Sequence, residues 1–230
     1  MSPAPGALSL AASLEDGLRV LGLTLSPTQQ AQLLEYLALL ARWNKVYNLT
    51  AVREPEAMLT HHVLDCLAIV RPMCSMLDQR WPQWREPPDG ARLRLLDVGA
   101  GAGLPGVILA VACPWLQVDC VDAVAKKAAF VQQAAALLKL ANLCGLHARV
   151  ETLPSKYQVV TARAFAALAD FVAWTDSALL EGGIWLAMKG QHPSSELGVL
   201  PRSVSAFHVE PIDVPGLDAA RCLVWMQRAP

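Results

Sequence analysis

The spacing of apolar residues changes along the chain. In the first third, apolar positions recur every three or four residues, as on one face of an amphipathic helix. This spacing predicts helices near residues 8–21 and 55–70. Between them, Ser26 and Gln29 have the spacing of a capping box, which predicts the start of another helix. We therefore expect residues 1–77 to form a helical subdomain.

Beyond residue 92, short apolar runs alternate with helical patterns. Such alternation favours a mainly parallel sheet whose two faces are covered by helices. Residues 78–92 fit neither pattern, contain several prolines and are predicted to link the helical subdomain to an α/β domain over residues 93–230. The predicted strands span residues 93–97, 117–121, 146–150, 158–162 and 184–188, followed by an antiparallel pair over 204–212 and 222–227.

Composition narrows the class of protein. The 230 residues allow one large domain, or one domain with a smaller appendage. Hydrophobic residues make up 54% and charged residues 17%, so the chain can bury a sizeable core and is not expected to be disordered. The formal net charge of −1 argues against a protein that coats nucleic acid by charge alone.

Neither a metal centre nor a membrane span is predicted. The six cysteines include no C-x-x-C pair. Adjacent His61 and His62 point in different directions on a helix, so they are expected to pack and not to share a metal. The uncharged run over residues 98–118 has the length of a membrane span, but its glycines and prolines break it. The N-terminus lacks a basic signal segment, and we expect a cytoplasmic protein with reduced thiols.

A glycine-rich loop between the first predicted strand and the next helix is the most informative segment. Its glycines permit a left-handed backbone and the close approach of a ligand, and the start of the following helix offers free N–H groups to an anion. Residues 101–106 match the dinucleotide fingerprint G-x-G-x-x-G, which is a weak signal by itself. S-adenosylmethionine (SAM), a nicotinamide dinucleotide and a purely structural turn are all compatible with this loop.

Two carboxylates near the loop help to separate these alternatives. Asp97 ends the first strand, where it is expected to attract the cationic methionine end of SAM and to repel a pyrophosphate. Asp122 ends the second strand, where it can accept both ribose hydroxyls of either cofactor. Too little chain remains after one nucleotide-binding unit for a separate substrate domain. SAM is therefore favoured, with the other two alternatives still open.

Several motifs occur in an order that resembles a known family. They are WNKVYNLT at 43–50, HHVLD at 61–65, LDVGAGAGLPG at 96–106, KK at 126–127, RAFA at 163–166 and KG at 189–190. This order resembles the RsmG family, also called glucose-inhibited division protein B, over about residues 39–190. The resemblance implies a bacterial 16S rRNA guanine-N7 methyltransferase that uses SAM and acts in the 530-loop region. The implied fold is α/β and Rossmann-like, a seven-stranded, mainly parallel sheet with an N-terminal helical extension.

The loop and the resemblance together give a set of expected cofactor-binding residues. They are Gly99, Gly101, Gly103, Leu104, Asp122, Val150, Glu151 and Arg163. By resemblance, Val150 and Glu151 border the adenine, and Arg163 reaches the cofactor. From its chemistry alone, Arg163 can serve the SAM carboxylate, an RNA phosphate or only an ion-pair partner. The chain departs from the family at Ala125 and Ala162, where Gly and Ser are common, and both changes bear on fine positioning.

Four residues are expected to bind the RNA substrate. Phe165 is expected to stack on the target guanine, with a position in the core as the alternative. Lys189 ends the fifth strand, where ligands gather, and either meets RNA phosphate or is a solvated charge. Lys126 and Lys127 belong to a basic segment of the chain. The stripe of Trp43, Tyr47 and Asn48 is expected to pack, with contact to RNA as the alternative.

Charge is distributed unevenly along the chain. Between Ala123 and Ala169 the only acid is Glu151, against six bases, so six minus one gives a balance of +5. We expect this segment to guide one RNA strand, while the near-neutral total excludes only indiscriminate coating. The six bases are Lys126, Lys127, Lys139, Arg149, Lys156 and Arg163.

No general base is predicted. Guanine N7 has an exposed lone pair, so in-line placement of the reacting atoms is expected to supply most of the rate enhancement. We expect a monomer that acts on 16S rRNA or the small ribosomal subunit without a metal. The alternatives are a SAM-dependent methyltransferase for a small molecule or protein, and a nucleotide-binding protein without turnover.

Overall fold

The first third of the chain is helical, as predicted. The computed structural model describes residues 5–86, 90–153 and 157–229. The helices of this part are α1 (Pro5–Leu21), α2 (Pro27–Tyr47), α3 (Pro55–Met58), α4 (Asp65–Leu67) and α5 (Val70–Arg80). A π-helical turn, Leu59–Leu64, joins α3 to α4, so the helix predicted over 55–70 is interrupted.

The capping box at the start of α2 is confirmed. The Ser26 hydroxyl accepts a hydrogen bond from the Gln29 N–H, and the Gln29 side chain accepts one from the Ser26 N–H. The same Gln29 side chain donates to the Val111 carbonyl at 2.7 Å. The cap therefore starts the helix and also fixes it to the α/β domain.

The remaining chain forms the predicted α/β sheet. Its seven described strands have the order β3-β2-β1-β4-β5-β7-β6, in which β7 pairs antiparallel with β5 and β6 and the other pairs are parallel. The predicted fold class, including the helical extension and the closing antiparallel pair, is confirmed. The strands are β1 (Leu93–Val98), β2 (Leu116–Asp122), β3 (Leu143–His147), β4 (Tyr157–Arg163), β5 (Leu179–Lys189), β6 (Val204–Pro211) and β7 (Cys222–Arg228). The helices between them are α6 (Gly106–Ala112), α7 (Ala125–Leu137), α8 (Leu168–Thr175) and α9 (Ser194–Leu197).

The position predicted for the third strand was wrong by three residues. The alternation of apolar and polar residues over 146–150 suggested a strand there, whereas β3 ends at His147. Pairing with β2 sets the register, since Val118 lies opposite Leu143. Val150 instead opens a short 3₁₀ helix, Val150–Thr152.

Two hydrophobic clusters occupy the two faces of the sheet. Neighbouring strand residues such as Leu95 and Leu96 point to opposite faces and so belong to different clusters. The helical segment contributes Leu33 and Tyr36 to the first cluster, where they pack with Phe130 of α7 and its neighbours. The extension therefore covers one face of the sheet.

The division at residues 78–92 stays a prediction. Helix α5 continues to Arg80, three residues into the predicted linker. Residues 87–89 of that linker lie outside the described residues. In the described part of the chain, no helix is long and apolar enough to cross a membrane.

Candidate active site

Two adjoining cavities lie at the carboxyl ends of the central strands. The first, of about 420 Å³, contains Arg163 and is called the Arg163 cavity. The second, of about 520 Å³, contains Asp122 and is called the Asp122 cavity. Gly99 and Ala164 line both. The volumes are typical of small-ligand sites, and the shared wall makes one groove across the ends of β2, β1 and β4.

The glycine loop forms the floor of this groove through residues 99–102 and Leu104, whereas Gly103 is buried and lines neither cavity. Gly99, Gly101 and Gly103 have φ values of +64°, +58° and +77°, a left-handed conformation that strains other residues. A Cβ atom added at Gly101 would meet only the Gly99 carbonyl, at 3.9 Å, and would otherwise project into open space. The backbone at Gly101 is thus bare toward the groove, and Leu104 lines the Arg163 cavity beside it.

Asp122 links the loop to the second strand. One carboxylate oxygen accepts a hydrogen bond from the Gly101 N–H at 3.0 Å, and the other accepts one from the Val124 N–H at 2.8 Å. The Lys127 ammonium lies 3.6 Å from the same carboxylate. Asp122 therefore holds the loop and also lines the Asp122 cavity, the place expected for a ribose-binding acid.

Val150 and Glu151 line the far end of the Asp122 cavity, beyond β2. They reach it from the 3₁₀ helix that follows β3, so the misplaced strand does not change which cavity they border. Trp174 of α8 and Arg149 also line this cavity. Sequence patterns gave no signal for Trp174, because its position on α8 looks like an ordinary helix residue.

Asp97 does not face the groove, contrary to the sequence-based expectation. Its side chain is fully buried, with one oxygen accepting from the Gly106 N–H at 2.8 Å and the other without a partner among the described residues. Burial raises the pKa of this carboxyl to about 7. The group therefore supports the loop from behind and lines neither cavity.

Arg163 extends from the end of β4 into the first cavity and across to the helical segment. One guanidinium nitrogen, Nη1, donates to the Asp65 carboxylate and to the His61 carbonyl, each at 2.9 Å. The Asp65 carboxylate is buried and also accepts from Arg221 at 2.7 Å. Arg163 therefore forms the ion pair foreseen as one alternative while its side chain still lines the cavity.

His62 lies beside Arg163 with a neutral ring. Its Nε2 is 2.7 Å from the Thr50 hydroxyl, and its ring lines the Arg163 cavity. Burial, together with the Arg163 charge, lowers the pKa of His62 to about 4. His62 packs at the join between the helical segment and the sheet, as expected. The described residues contain no cluster of His, Cys, Asp or Glu that could hold a metal ion.

Phe165 covers the glycine loop. A Cβ atom at Gly99 would lie 2.2 Å from the Phe165 ring. The ring also makes edge contacts with Phe171 and Trp174 and is partly buried. One edge of it borders the Asp122 cavity, so the position serves packing and the groove together.

The three lysines expected to bind RNA have different surroundings. The Lys189 ammonium binds the Glu196 carboxylate at 2.8 Å and the Ala166 carbonyl at 3.0 Å, so it is not the solvated charge named as the alternative. Lys127 is near Asp122, whereas exposed Lys126 lies over the Tyr47 ring, with the ammonium 5.9 Å from its centre.

The +5 segment does not form one patch. Arg163 is paired with Asp65. Lys139 follows the C-terminal end of α7, about 20 Å along the helix from Lys126. Lys156 lies outside the described residues. Lys126, Lys127 and Arg149 remain near the groove.

The fold and this groove define a Rossmann-like, SAM-dependent methyltransferase. The residues fit that cofactor: a bare glycine turn at Gly101, a carboxylate for the ribose at Asp122 and a cationic end at Arg163. A predicted O-methyltransferase from Agrobacterium tumefaciens has the same fold, with a TM-score of 0.54 and 19% identity over 74% of this chain and 81% of that chain.

Within this class, the chain belongs to the family described as GidB, rRNA small subunit methyltransferase G, which it matches over residues 29–224. The ribosomal RNA small subunit methyltransferase G of Acidovorax sp. (strain JS42) is 59% identical over 94% of both chains. That of Methylibium petroleiphilum is 54% identical over 99% of both chains. The predicted family, enzyme class and cofactor are confirmed, and the nicotinamide alternative is set aside.

Proposed function

We propose that this enzyme methylates N7 of a guanine in the 530-loop region of 16S rRNA. The rRNA substrate is supported by the family match over residues 29–224. Relatives in that family are named as methyltransferases of small-subunit rRNA. The guanine and its N7 atom follow from the resemblance of the motifs. We expect a cytoplasmic enzyme, since its proposed substrate is rRNA or the small ribosomal subunit, and we propose that it acts as a monomer.

A part of the cofactor is proposed for each group of expected residues. Asp122 would bind the ribose, Val150 and Glu151 would border the adenine, and the loop from Gly99 to Leu104 would hold the methionine portion. Arg163 would bind its carboxylate. When bound, SAM supplies an electrophilic methyl group on a positively charged sulfur.

The chain's own contribution to the reaction is placement. Guanine N7 is a nucleophile without loss of a proton, so the site needs no general base. The lining of the Arg163 cavity agrees with this. The Asp65 carboxylate is hydrogen-bonded to two arginines, and the buried His62 ring is hydrogen-bonded to the Thr50 hydroxyl. Orientation of the acceptor base accounts for most of the acceleration.

Phe165 is proposed to stack on the target guanine. Its partly buried ring borders the Asp122 cavity and lies against Gly99, which lines both cavities. Phe165→Leu keeps the apolar volume over Gly99, whereas Phe165→Ala removes it. If stacking is right, both variants lose RNA methylation, but only the alanine variant loses stability. Normal methylation by Phe165→Leu would leave the ring a packing role alone.

The cations around the groove are proposed to bind RNA phosphates. Lys126 and Lys127 start α7 next to the Asp122 cavity, and Lys189 borders the Arg163 cavity while paired with Glu196. Replacing Lys126 by Ala should weaken RNA binding a few-fold without a change in SAM affinity, because Lys126 is exposed and the other two are paired.

Purified enzyme with radiolabelled SAM tests the reaction. Naked 16S rRNA, small subunits and a mixture of small metabolites and proteins are offered separately, with Arg163→Ala as the inactive control. The expected product is N7-methylguanine in rRNA or subunits, located by borohydride reduction and aniline cleavage. Label in the metabolites or proteins alone would support the alternative substrate class.

A further inference from the structure

We propose that Arg221 binds a phosphate of the RNA substrate, and that Asp65 positions Arg221 and Arg163 together. This inference rests on the proposed rRNA substrate. The two oxygens of one buried carboxylate are divided between two arginines: Oδ2 accepts from Arg163 Nη1 at 2.9 Å, and Oδ1 from Arg221 Nε at 2.7 Å. All three side chains line the Arg163 cavity.

The charges of this cavity do not cancel. Its lining includes three cations, Arg163, Lys189 and Arg221, but only one carboxylate, Asp65. Glu196, just outside the lining, pairs with Lys189. His62 adds no charge near neutral pH, because burial lowers its pKa to about 4. One positive charge therefore remains in excess in a partly buried site, which favours an anionic ligand.

The position of Arg221 places it on the side of the glycine loop away from the Asp122 cavity. Arg163 ends β4, the direct neighbour of β1 and the glycine loop. Arg221 comes directly before β7, where Cys222 pairs with Lys189 of β5. The order β1-β4-β5-β7 separates it from the loop by three strand spacings, about 14 Å. The Asp122 cavity lies on the other side of the loop, so Arg221 is far from the adenosine end.

The guanidinium of Arg221 is available to a ligand. Nε is bound to Asp65 and Nη1 to the Ala220 carbonyl, which fixes the plane of the group. Nη2 makes no hydrogen bond within the described part of the chain, and the side chain is 23% exposed. A fixed, partly exposed guanidinium is well suited to a phosphate oxygen. Because Asp65 binds both arginines, it also sets the distance between Arg163, proposed to bind the cofactor, and Arg221, proposed to bind the RNA.

Arg221→Ala is the decisive variant, with Arg202→Ala as its matched control. Arg202 is an exposed arginine just before β6, whose start pairs with the end of β7, so it lies at the opposite ends of these strands from Arg221. Binding of SAM is measured by calorimetry, and binding of a 16S rRNA fragment by anisotropy at several salt concentrations. Arg221→Ala should keep the SAM Kd within about twofold and weaken RNA binding about tenfold, with the salt slope reduced by about one.

Asp65→Asn tests the positioning role. It should weaken both SAM and RNA binding, and its effect on RNA binding should disappear in the Arg221→Ala background, because the positioned group is then absent. Arg221→Lys keeps the charge but not the fixed plane, so it should bind RNA with intermediate affinity. This variant keeps the test informative if Arg221→Ala folds poorly.

Three results overturn the inference. The first is that Arg221→Ala binds RNA as tightly as Arg202→Ala while the wild type methylates rRNA. The proposed function would then stand, but Arg221 would have no part in RNA binding. A loss of SAM affinity as large as that of Arg163→Ala would assign Arg221 to the cofactor carboxylate. A wild-type enzyme that does not methylate rRNA would overturn the proposed function and this inference with it.

Discussion

Gly99 and Gly101 share a left-handed backbone but differ in their surroundings. Residue chemistry alone predicted both as loop glycines. It did not predict that Phe165 lies against Gly99, because the two residues are 66 positions apart in sequence and meet only in the folded sheet. The same limit applies to Asp97, whose burial behind the loop was not evident from its place at a strand end.

Gly101→Ala should fold but bind SAM poorly. Its added methyl meets no side chain, so the cost to stability is the strain of φ +58°, about 1–2 kcal/mol, while the methyl itself enters the groove. Gly99→Ala should be less stable than Gly101→Ala, because the Phe165 ring must also move. Thermal unfolding and SAM calorimetry check both. Unchanged SAM affinity in Gly101→Ala would show that the cofactor does not approach this backbone.

His62 and Asp97 should give opposite pH dependences of stability. The pKa of His62 is lowered to about 4 by burial, so the unfolded chain binds more protons at this group, and its contribution is lost as pH falls from about 6.5 to 4. The pKa of Asp97 is raised to about 7, so the native chain binds more protons there, and its contribution is lost as pH rises from about 4 to 7.

In the wild type, the two effects on stability oppose each other between pH 4 and 6.5. A variant of either residue should therefore show the pH dependence of stability that the other residue causes. His62→Gln should lose stability as pH rises through this range, because only the Asp97 effect remains. Asp97→Asn should gain stability over the same range. Urea unfolding at several pH values measures both, and a profile parallel to the wild type in either variant would contradict the corresponding assignment.

At the scale of elements, helix α2 supports the site from beneath. The Tyr36 hydroxyl donates to the Ala102 carbonyl at 2.8 Å, which ties the helix to the middle of the glycine loop. The capping box and the apolar face of α2 were evident in the sequence. The contact with the loop was not, since helical periodicity shows that a face is buried but not what covers it.

Tyr36→Phe should cost about 1–2 kcal/mol of stability, because it leaves the buried Ala102 carbonyl without its donor. It should also weaken SAM binding several-fold, since the loop loses a support. Tyr47→Phe is the control, because that side chain is exposed on the same helix. Equal stability and SAM affinity in the two variants would exclude support of the loop by Tyr36.

Strand positions show where sequence patterns fail. The central strands β1, β2 and β4 were predicted within one residue of their observed ends, because both of their faces are buried and apolar residues occupy most positions. The edge strand β3 was shifted by three residues, since an edge strand has exposed positions and takes its register from β2. The π-helical turn Leu59–Leu64 leaves no distinct pattern in the sequence.

At the scale of the whole molecule, the groove combines residues from distant parts of the chain. Glycine loop and strand-end residues were predicted because a local motif marks them. Asp65 and Arg221 were not predicted as partners, since 156 positions separate them and no motif surrounds Arg221. The basic segment over residues 123–169 does not form one patch, for a related reason. A count of charges along the sequence does not show which cations are paired with acids in the folded protein.

The central claim is that this enzyme adds a methyl group to N7 of one guanine in 16S rRNA. The most direct measurement maps N7-methylguanine in 16S rRNA from cells with the gene, cells without it, and cells that carry Gly101→Ala in its place. We expect one site in the 530-loop region that is present in the first and absent from the other two. An identical map in all three would contradict the account.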